Sequence, residues 1–194
     1  MQVMKNIAIF ASGSGTNAEN IIKYFSNSNS AKVTLVLSNK PDAFVLERAA
    51  KFGIPSAFFD RGQFYSSESV LGHLKNHNID FIVLAGFLWL VPKSILSLYY
   101  KRLINIHPAL LPSYGGKGMY GDKVHKAVIS NGEKESGITI HYVNELYDDG
   151  DIIFQARCRV LPGDSPDSLA HRIHELEYRH FPAVIEKLIL ELPG

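Results

Sequence analysis

The 194-residue chain contains a single cysteine, Cys158, so it can form no internal disulfide and no cysteine-based metal cluster. It carries almost no excess charge: 20 Lys and Arg oppose 19 Asp and Glu, for a formal net charge of +1. That leaves no global field to draw nucleic acid or a membrane surface, although a small anion needs only a local one. No apolar run approaches membrane-spanning length. The apolar run 7–11 near the N-terminus is too short for the core of a signal peptide. Internal repeats, linkers and low-complexity segments are missing as well. Together these absences lead to the expectation of a cytoplasmic protein with small-molecule ligands and neither nucleic-acid nor membrane partners.

Composition is that of one soluble globular domain, with 46% hydrophobic and 20% charged residues. The runs 7–10 (IAIF), 32–37 (KVTLVL), 56–59 and 80–85 (DFIVLA) are largely unbroken by polar alternation, as in strands buried on both faces of a parallel sheet. Helical patterns separate them: 18–25, 42–53 with Asp42 as candidate cap and Gly53 as stop, 67–77, and 91–102 with Pro92 in its first turn. This β-α alternation predicts a doubly wound, mostly parallel, Rossmann-like α/β sheet. Beyond it the pattern predicts a fifth strand at 103–107, a glycine loop at 114–121, a helix at 122–130 and a strand at 137–143. An acidic turn at 144–150, an antiparallel-type strand at 152–160 and a long helix from Ser165-Pro166, running past Pro182 with a break or kink there, complete the chain.

Three stretches carry candidate chemistry. After the first strand come Gly13, Ser14, Gly15, Thr16 and Asn17, opening a helix. Strand, glycine turn and helix aim backbone N–H groups at an anion. The turn lacks the third glycine of the dinucleotide fingerprint and the Gly-Lys-Ser/Thr of a P-loop, so it suits one phosphomonoester better than NAD or ATP. The alternative is a tight strand–helix turn with a Thr or Asn cap. The second stretch is 103–112, LINIHPALLP. Pro108 stops the strand, and Asn105 and His107, two apart, project to one side. They fit an oxyanion-stabilising amide beside a proton-handling imidazole, or a pair closing the strand by bonding to loop backbone. The third is the acidic turn with Glu145, Asp148 and Asp149. On the last helix His171, His174, Glu177 and His180 recur every three residues, which smears them around more than one face. No H-E-x-x-H pattern occurs, and no metal is expected.

In this order, strand–GSGTN–helix, NIHPALLP and HYVNELYDDGDII resemble the glycinamide ribonucleotide (phosphoribosylglycinamide) formyltransferases over nearly the whole chain. SNKPDAFVLERA and VLAGFLWLVP are similar to that family's second- and fourth-strand segments. The resemblance implies a single formyltransferase domain spanning 1–194, with a ribonucleotide-binding half (about 1–100) and a catalytic and folate-binding half (about 101–194). It implies transfer of the formyl group of 10-formyltetrahydrofolate, a co-substrate, to the amine of glycinamide ribonucleotide in purine synthesis. By motif, the catalytic set is Asn105, His107 and Asp148, the last chosen over Asp149 because it falls seven residues after His141. The ribonucleotide would meet the 13–17 loop, His174 and Glu177. The folate would meet Leu88, Trp89, Leu90 and Val91 after the fourth strand, and Val143 and Asn144 before the acidic turn. Trp89 either packs on the folate aryl ring or covers core. On this reading a protonated His107, its basicity raised by Asp148, assists Asn105 at the developing oxyanion. His125 and His141 are expected to be structural.

The sequence departs from the family at 113–121, SYGGKGMYG, where many members have a shorter loop with a Pro-Gly and two histidines. A methionyl-tRNA formyltransferase would need a further C-terminal domain, and a formyltetrahydrofolate hydrolase usually has a regulatory domain in front. A non-catalytic nucleotide-binding module is the remaining alternative.

Overall fold

The computed structural model describes residues 3–193. In chain order it runs β1 (Lys5–Phe10), α1 (Thr16–Phe25), β2 (Ala31–Ser38), α2 (Phe44–Lys51), β3 (Ser56–Phe58), α3 (Arg61–Tyr65), α4 (Ser69–Asn76) and β4 (Phe81–Leu84). There follow α5 (Lys93–Leu98), β5 (Leu103–His107), α6 (Asp122–Ser130), β6 (Glu135–Tyr142), β7 (Ile152–Arg159) and α7 (Pro166–Leu190). The strands form one sheet in the order β3-β2-β1-β4-β5-β6-β7. Pairing is parallel from β3 to β5 and antiparallel for β5–β6 and β6–β7. The doubly wound, mostly parallel α/β sheet expected from the sequence is therefore present.

Strand alternation feeds two cores. Ile7, Ile9, Val83, Ile104 and Ile106 pack under α1 and α7, while Ala8, Phe10, Ile82, Leu84 and Leu103 pack under α3, α4 and α5. Burial on both faces is why these strands read as continuous apolar runs. The 25-residue α7 is opened by Pro166 and a reciprocal capping box between Ser165 and Ser168. Its buried stripe, Leu169, Ile173, Glu177, Phe181 and Ile185, advances four residues at a time, with a carboxyl in the middle of four hydrophobes. Pro182 is accommodated inside it and buried.

Some local expectations fail. Asp42 does not cap α2; Ala43 holds the N-cap position in extended backbone, with no side-chain cap bond. The helix expected over 91–102 is only Lys93–Leu98, because Pro92 forms the extended N-cap and Lys101 turns to a positive φ of 54°. The short helix α3 was not expected; its start is an Asp60–Gln63 capping box with no apolar period to announce it.

β1 lies between β2 and β4, so chain connections leave it in opposite directions. At such a switch point the loops beyond the carboxyl ends separate and leave a crevice. Gly15 begins α1 there with φ +73°, and a Cβ on it would overlap the Val45 side chain of α2. Left-handed backbone and overpacking together predict that Gly15→Ala destabilises the protein by about 2–4 kcal/mol, read as a lower urea midpoint with unchanged slope. An unmoved midpoint would refute this packing.

Candidate active site

The crevice is a cavity of about 350 Å³. The loop after β1, the segment after β4, the end of β5, the glycine loop, the acidic turn and α7 all contribute to its walls. On one side is the 13–17 loop, held from behind. The Val45 N–H donates to the Gly13 carbonyl (3.1 Å) and Arg48 Nε to the Ser14 carbonyl (2.8 Å). Arg48 is itself paired with Glu19. With these carbonyls tied back and no side chain capping α1, the N–H groups of its first turn remain available to a ligand. Gly13, Ser14, Gly15, Thr16 and Asn17 all line the cavity.

Opposite this loop is a cluster centred on Asp148. Asn105 Nδ2 donates to Asp148 Oδ1 (3.3 Å) and approaches His141 Nε2 (3.1 Å). The Gly116 N–H donates to Asp148 Oδ2 (3.0 Å), and His107 Nδ1 lies 3.4 Å from the same oxygen. The cross-strand register Asn105↔His141 places that imidazole beside the amide. His141 Nδ1 is 2.8 Å from the Tyr142 carbonyl, so it carries the proton, and Nε2 accepts from Asn105. Asp149 points elsewhere and accepts from Asn144 Nδ2 (3.1 Å). Thr139 fixes the turn after His107, accepting from the Leu111 N–H (3.0 Å) and donating to the Ala109 carbonyl (2.7 Å).

The charge state of His107 differs from the sequence expectation. Burial pushes its pKa below the ordinary value; Asp148 and the Tyr114 carbonyl oppose that without reversing it. The 2.7 Å contact between Nε2 and the Tyr114 carbonyl requires the proton on Nε2. Burial thus favours the neutral ring, and Nδ1 faces the Asp148 carboxylate, which favours the charged one. For Asp148, burial raises the pKa, but His141, His107 and the Gly116 N–H together outweigh it and leave the carboxyl below its usual value.

The third wall comes from α6 and α7. Glu177 is 6% exposed, and Asn17 Nδ2 donates to its Oε2 (2.8 Å). Burial raises its pKa to about 7, with the Asn17 amide partly countering. His174, one turn earlier, and His125, on α6, also line the cavity. His180 instead packs on Phe154, with ring centres 5.0 Å apart. Among the described residues no group of three or more His, Cys, Asp or Glu is arranged to hold a metal ion. None of the described helices is long and apolar enough to cross a membrane.

Residues 5–185 match the family described as formyl transferase. A phosphoribosylglycinamide formyltransferase of Bacillus subtilis is 36% identical, covering 96% of this chain and 95% of its own. The chloroplastic protein of that name from Arabidopsis thaliana is 40% identical over 93% of this chain. The crystal structure of phosphoribosylglycinamide formyltransferase from Bacillus halodurans superposes with a TM-score of 0.86 at 38% identity, covering 96% of each chain. This chain belongs to the formyl transferase family. It spans 64% of the length of the Arabidopsis relative and 62% of the Vigna unguiculata one.

In this family member the residues expected on the folate side are divided. Leu88 lines the main cavity. Trp89, Leu90, Val91 and Val143 line a smaller adjoining one of about 40 Å³, which also touches Asn105, His141 and Asp148. Asn144 lines neither; besides holding Asp149, its carbonyl oxygen accepts from the Leu146 N–H (2.9 Å), so it shapes the turn. Trp89 is packed among Phe59, Phe64, Tyr65 and Phe87, with ring centres 6.0–6.4 Å away and the Arg61 guanidinium over its face. Trp89 thus covers this aromatic cluster while also bordering the small cavity.

Sequence reasoning set aside two residues that the structure brings to the site, His141 and His125. His141 is the cross-strand partner of Asn105 and shares its face, which only the strand register shows. His125 follows a buried valine on an amphipathic helix and gave no signal. Glu177 announces itself as a carboxyl at the centre of the four-residue apolar repeat of α7. Its raised pKa carries a testable consequence. A carboxyl with an ordinary value near 4.5 unfolded and about 7 folded contributes stability that is complete below pH 4.5 and lost as pH rises through 7. Glu177→Gln removes that dependence. Urea titrations at pH 5 and pH 8 are expected to show wild type losing up to about 3 kcal/mol that the variant keeps; parallel losses in both would disprove the assignment.

Proposed function

We propose that this protein transfers the formyl group of 10-formyltetrahydrofolate to the amine of glycinamide ribonucleotide. The observation that carries the reading is the continuity of one cavity from the first-turn N–H groups of α1 to the Asn105–His107–Asp148 cluster. A phosphate anchored at one end sets the rest of a ribonucleotide toward the other. The smaller apolar cavity, which shares Asn105 and Asp148, is the place for the pterin, with Leu88, Trp89, Leu90, Val91 and Val143 along its approach.

In the reaction the amine nitrogen attacks the formyl carbon, the bond from that carbon to N10 of the folate breaks, and one proton passes from the amine to N10. Negative charge gathers on the formyl oxygen on the way. Asn105 is the donor for it, a class of interaction worth roughly 3–4 kcal/mol. Both of its amide hydrogens are engaged at rest, so the oxyanion displaces one acceptor, and the 3.3 Å contact with Asp148 is the weaker one to give up. His107 carries the proton. Its Nδ1 lone pair faces a carboxylate, an unfavourable pairing that becomes a charge-assisted hydrogen bond once Nδ1 is protonated. Asp148 thus increases the driving force for taking the proton, while burial keeps the ring neutral and ready to accept it. No step requires a metal.

The reading is tested by turnover with 10-formyltetrahydrofolate and glycinamide ribonucleotide, with water and methionyl-tRNA as alternative acceptors. Folded protein that leaves the ribonucleotide unformylated would sink it. His107→Ala and Asp148→Asn are expected to lower turnover by roughly 10²- to 10⁴-fold while ribonucleotide binding persists. Either variant working at near-normal rate would remove that residue from the mechanism.

A further inference from the structure

His125 has no role in the chemistry above. It is 3% exposed, lines the main cavity, and its Nδ1 is buried without a hydrogen-bond partner. An orphaned ring nitrogen at the wall of a ligand cavity is costly to keep unless a ligand or a proton compensates it.

The charge inventory of the cavity gives the orphan a purpose. Among the described residues lining it there is no lysine or arginine, while Asp148 and Glu177 both do so. Lys117, Lys123 and Lys126 on the neighbouring loop and helix are exposed. A phosphomonoester at the 13–17 loop would be a dianion near neutral pH. The partial charge of one helix terminus, about half an elementary charge, does not balance it. The side chains there that can become cationic are His107, His125 and His174, and His107 belongs to the Asp148 cluster. His174 is close enough to His125 to act on it: burial lowers His125 first, and the proximity of His174 adds to it. The other titratable groups around the pair are Asp122 on α6, His107 on β5, and His171 and Glu177 on α7.

We infer that His125, together with His174, is a phosphate-binding residue that protonates as the phosphomonoester enters, so that ligand binding is coupled to proton uptake. The inference rests on the ribonucleotide reading for the ligand's identity, but its chemistry needs only a phosphorylated sugar. The empty cavity favours neutral rings because burial opposes charge; a dianion beside them reverses the balance. Affinity for the ligand then falls as pH rises above neutrality, even though the phosphate itself remains fully ionised.

The test uses ribose 5-phosphate, which has the phosphate and the sugar but no amine whose own titration would confuse the count. Calorimetry at pH 7.5 in two buffers of different ionisation enthalpy gives the protons exchanged on binding. Wild type is expected to take up roughly one proton, with affinity decreasing between pH 6.5 and 8.5. His125→Gln, which keeps a polar side chain of similar length but cannot become cationic, should bind roughly tenfold more weakly and with a flatter pH profile. His174→Gln should do the same in part. Binding by wild type without proton uptake overturns the inference, as does an unchanged uptake in His125→Gln or an absence of binding. Uptake with ribose 5-phosphate in a protein that does not formylate glycinamide ribonucleotide would keep this inference and reject the acceptor proposed above.

Discussion

The Asp148 carboxylate holds the site together. Burying such a group costs several kcal/mol unless donors replace its water, and here the donors come from separate parts of the chain. Asn105 arrives from β5 and Gly116 from the glycine loop, while His107 and His141 flank the two oxygens from β5 and β6. Asp148 itself sits at a positive φ of 53°, which an aspartate tolerates better than most residues. One carboxylate therefore closes the antiparallel end of the sheet, orders the start of the loop and sets the electrostatics of His107. The loop must come close to do so: a Cβ at Gly115 would lie 3.2 Å from Asp148 Cβ and against Leu111 as well. The glycines that distinguish this loop from shorter ones let backbone reach a buried carboxylate.

The same cluster marks where sequence reasoning is strong and where it stops. Spacing was enough to set Asn105 and His107 on one face of β5, while the preference for Asp148 over Asp149, which bonds Asn144, came from the resemblance to the family's interval after its strand histidine. The buried strands and the glycine turn after β1 were legible because burial on both faces and a strand–helix reversal leave compositional traces. Helix α3 left none, since a five-residue helix held by the Asp60–Gln63 box has no period to display. The ionisation of His107 is not legible in the sequence for a different reason. The sequence offers a carboxylate partner, which raises a histidine's pKa, but not the degree of burial, which lowers it, and here burial is the larger effect. The contact of His141 was not legible because it is made across strands: a register is needed to see that its Nε2 meets the Asn105 amide.

Two carboxyl groups face one cavity and their environments drive them apart. Asp148 and Glu177 are both withdrawn from water, so burial pushes each upward. The number of donors decides the outcome. Asp148 accepts from a backbone N–H and an amide, has two imidazoles beside it, and finishes below its ordinary value. Glu177 has the Asn17 amide and finishes near 7. Carboxyl groups separated in this way take different chemical parts. Asp148 stays an anion and can favour a proton arriving at His107. Glu177 sits at the edge of ionisation, able to donate to a ligand hydroxyl or amine when protonated and to attract a cation when not.

That contrast also explains the placement of the histidines. A second permanent anion beside the 13–17 loop would oppose a phosphate, and a permanent cation such as arginine would pair with Glu177 and hold it ionised. A carboxyl that is half-ionised near neutrality, flanked by imidazoles that are neutral until an anion arrives, keeps the empty cavity nearly uncharged on that side. Its low polarity when empty suits the apolar stripe of α7 into which Glu177 is built, and the charge needed for binding is assembled only when the ligand brings its own. The fold's tolerance for a carboxyl in the middle of its longest hydrophobic seam and the proposed means of holding a phosphate, at a cavity lined among the described residues by no lysine or arginine, then follow from one arrangement of protons.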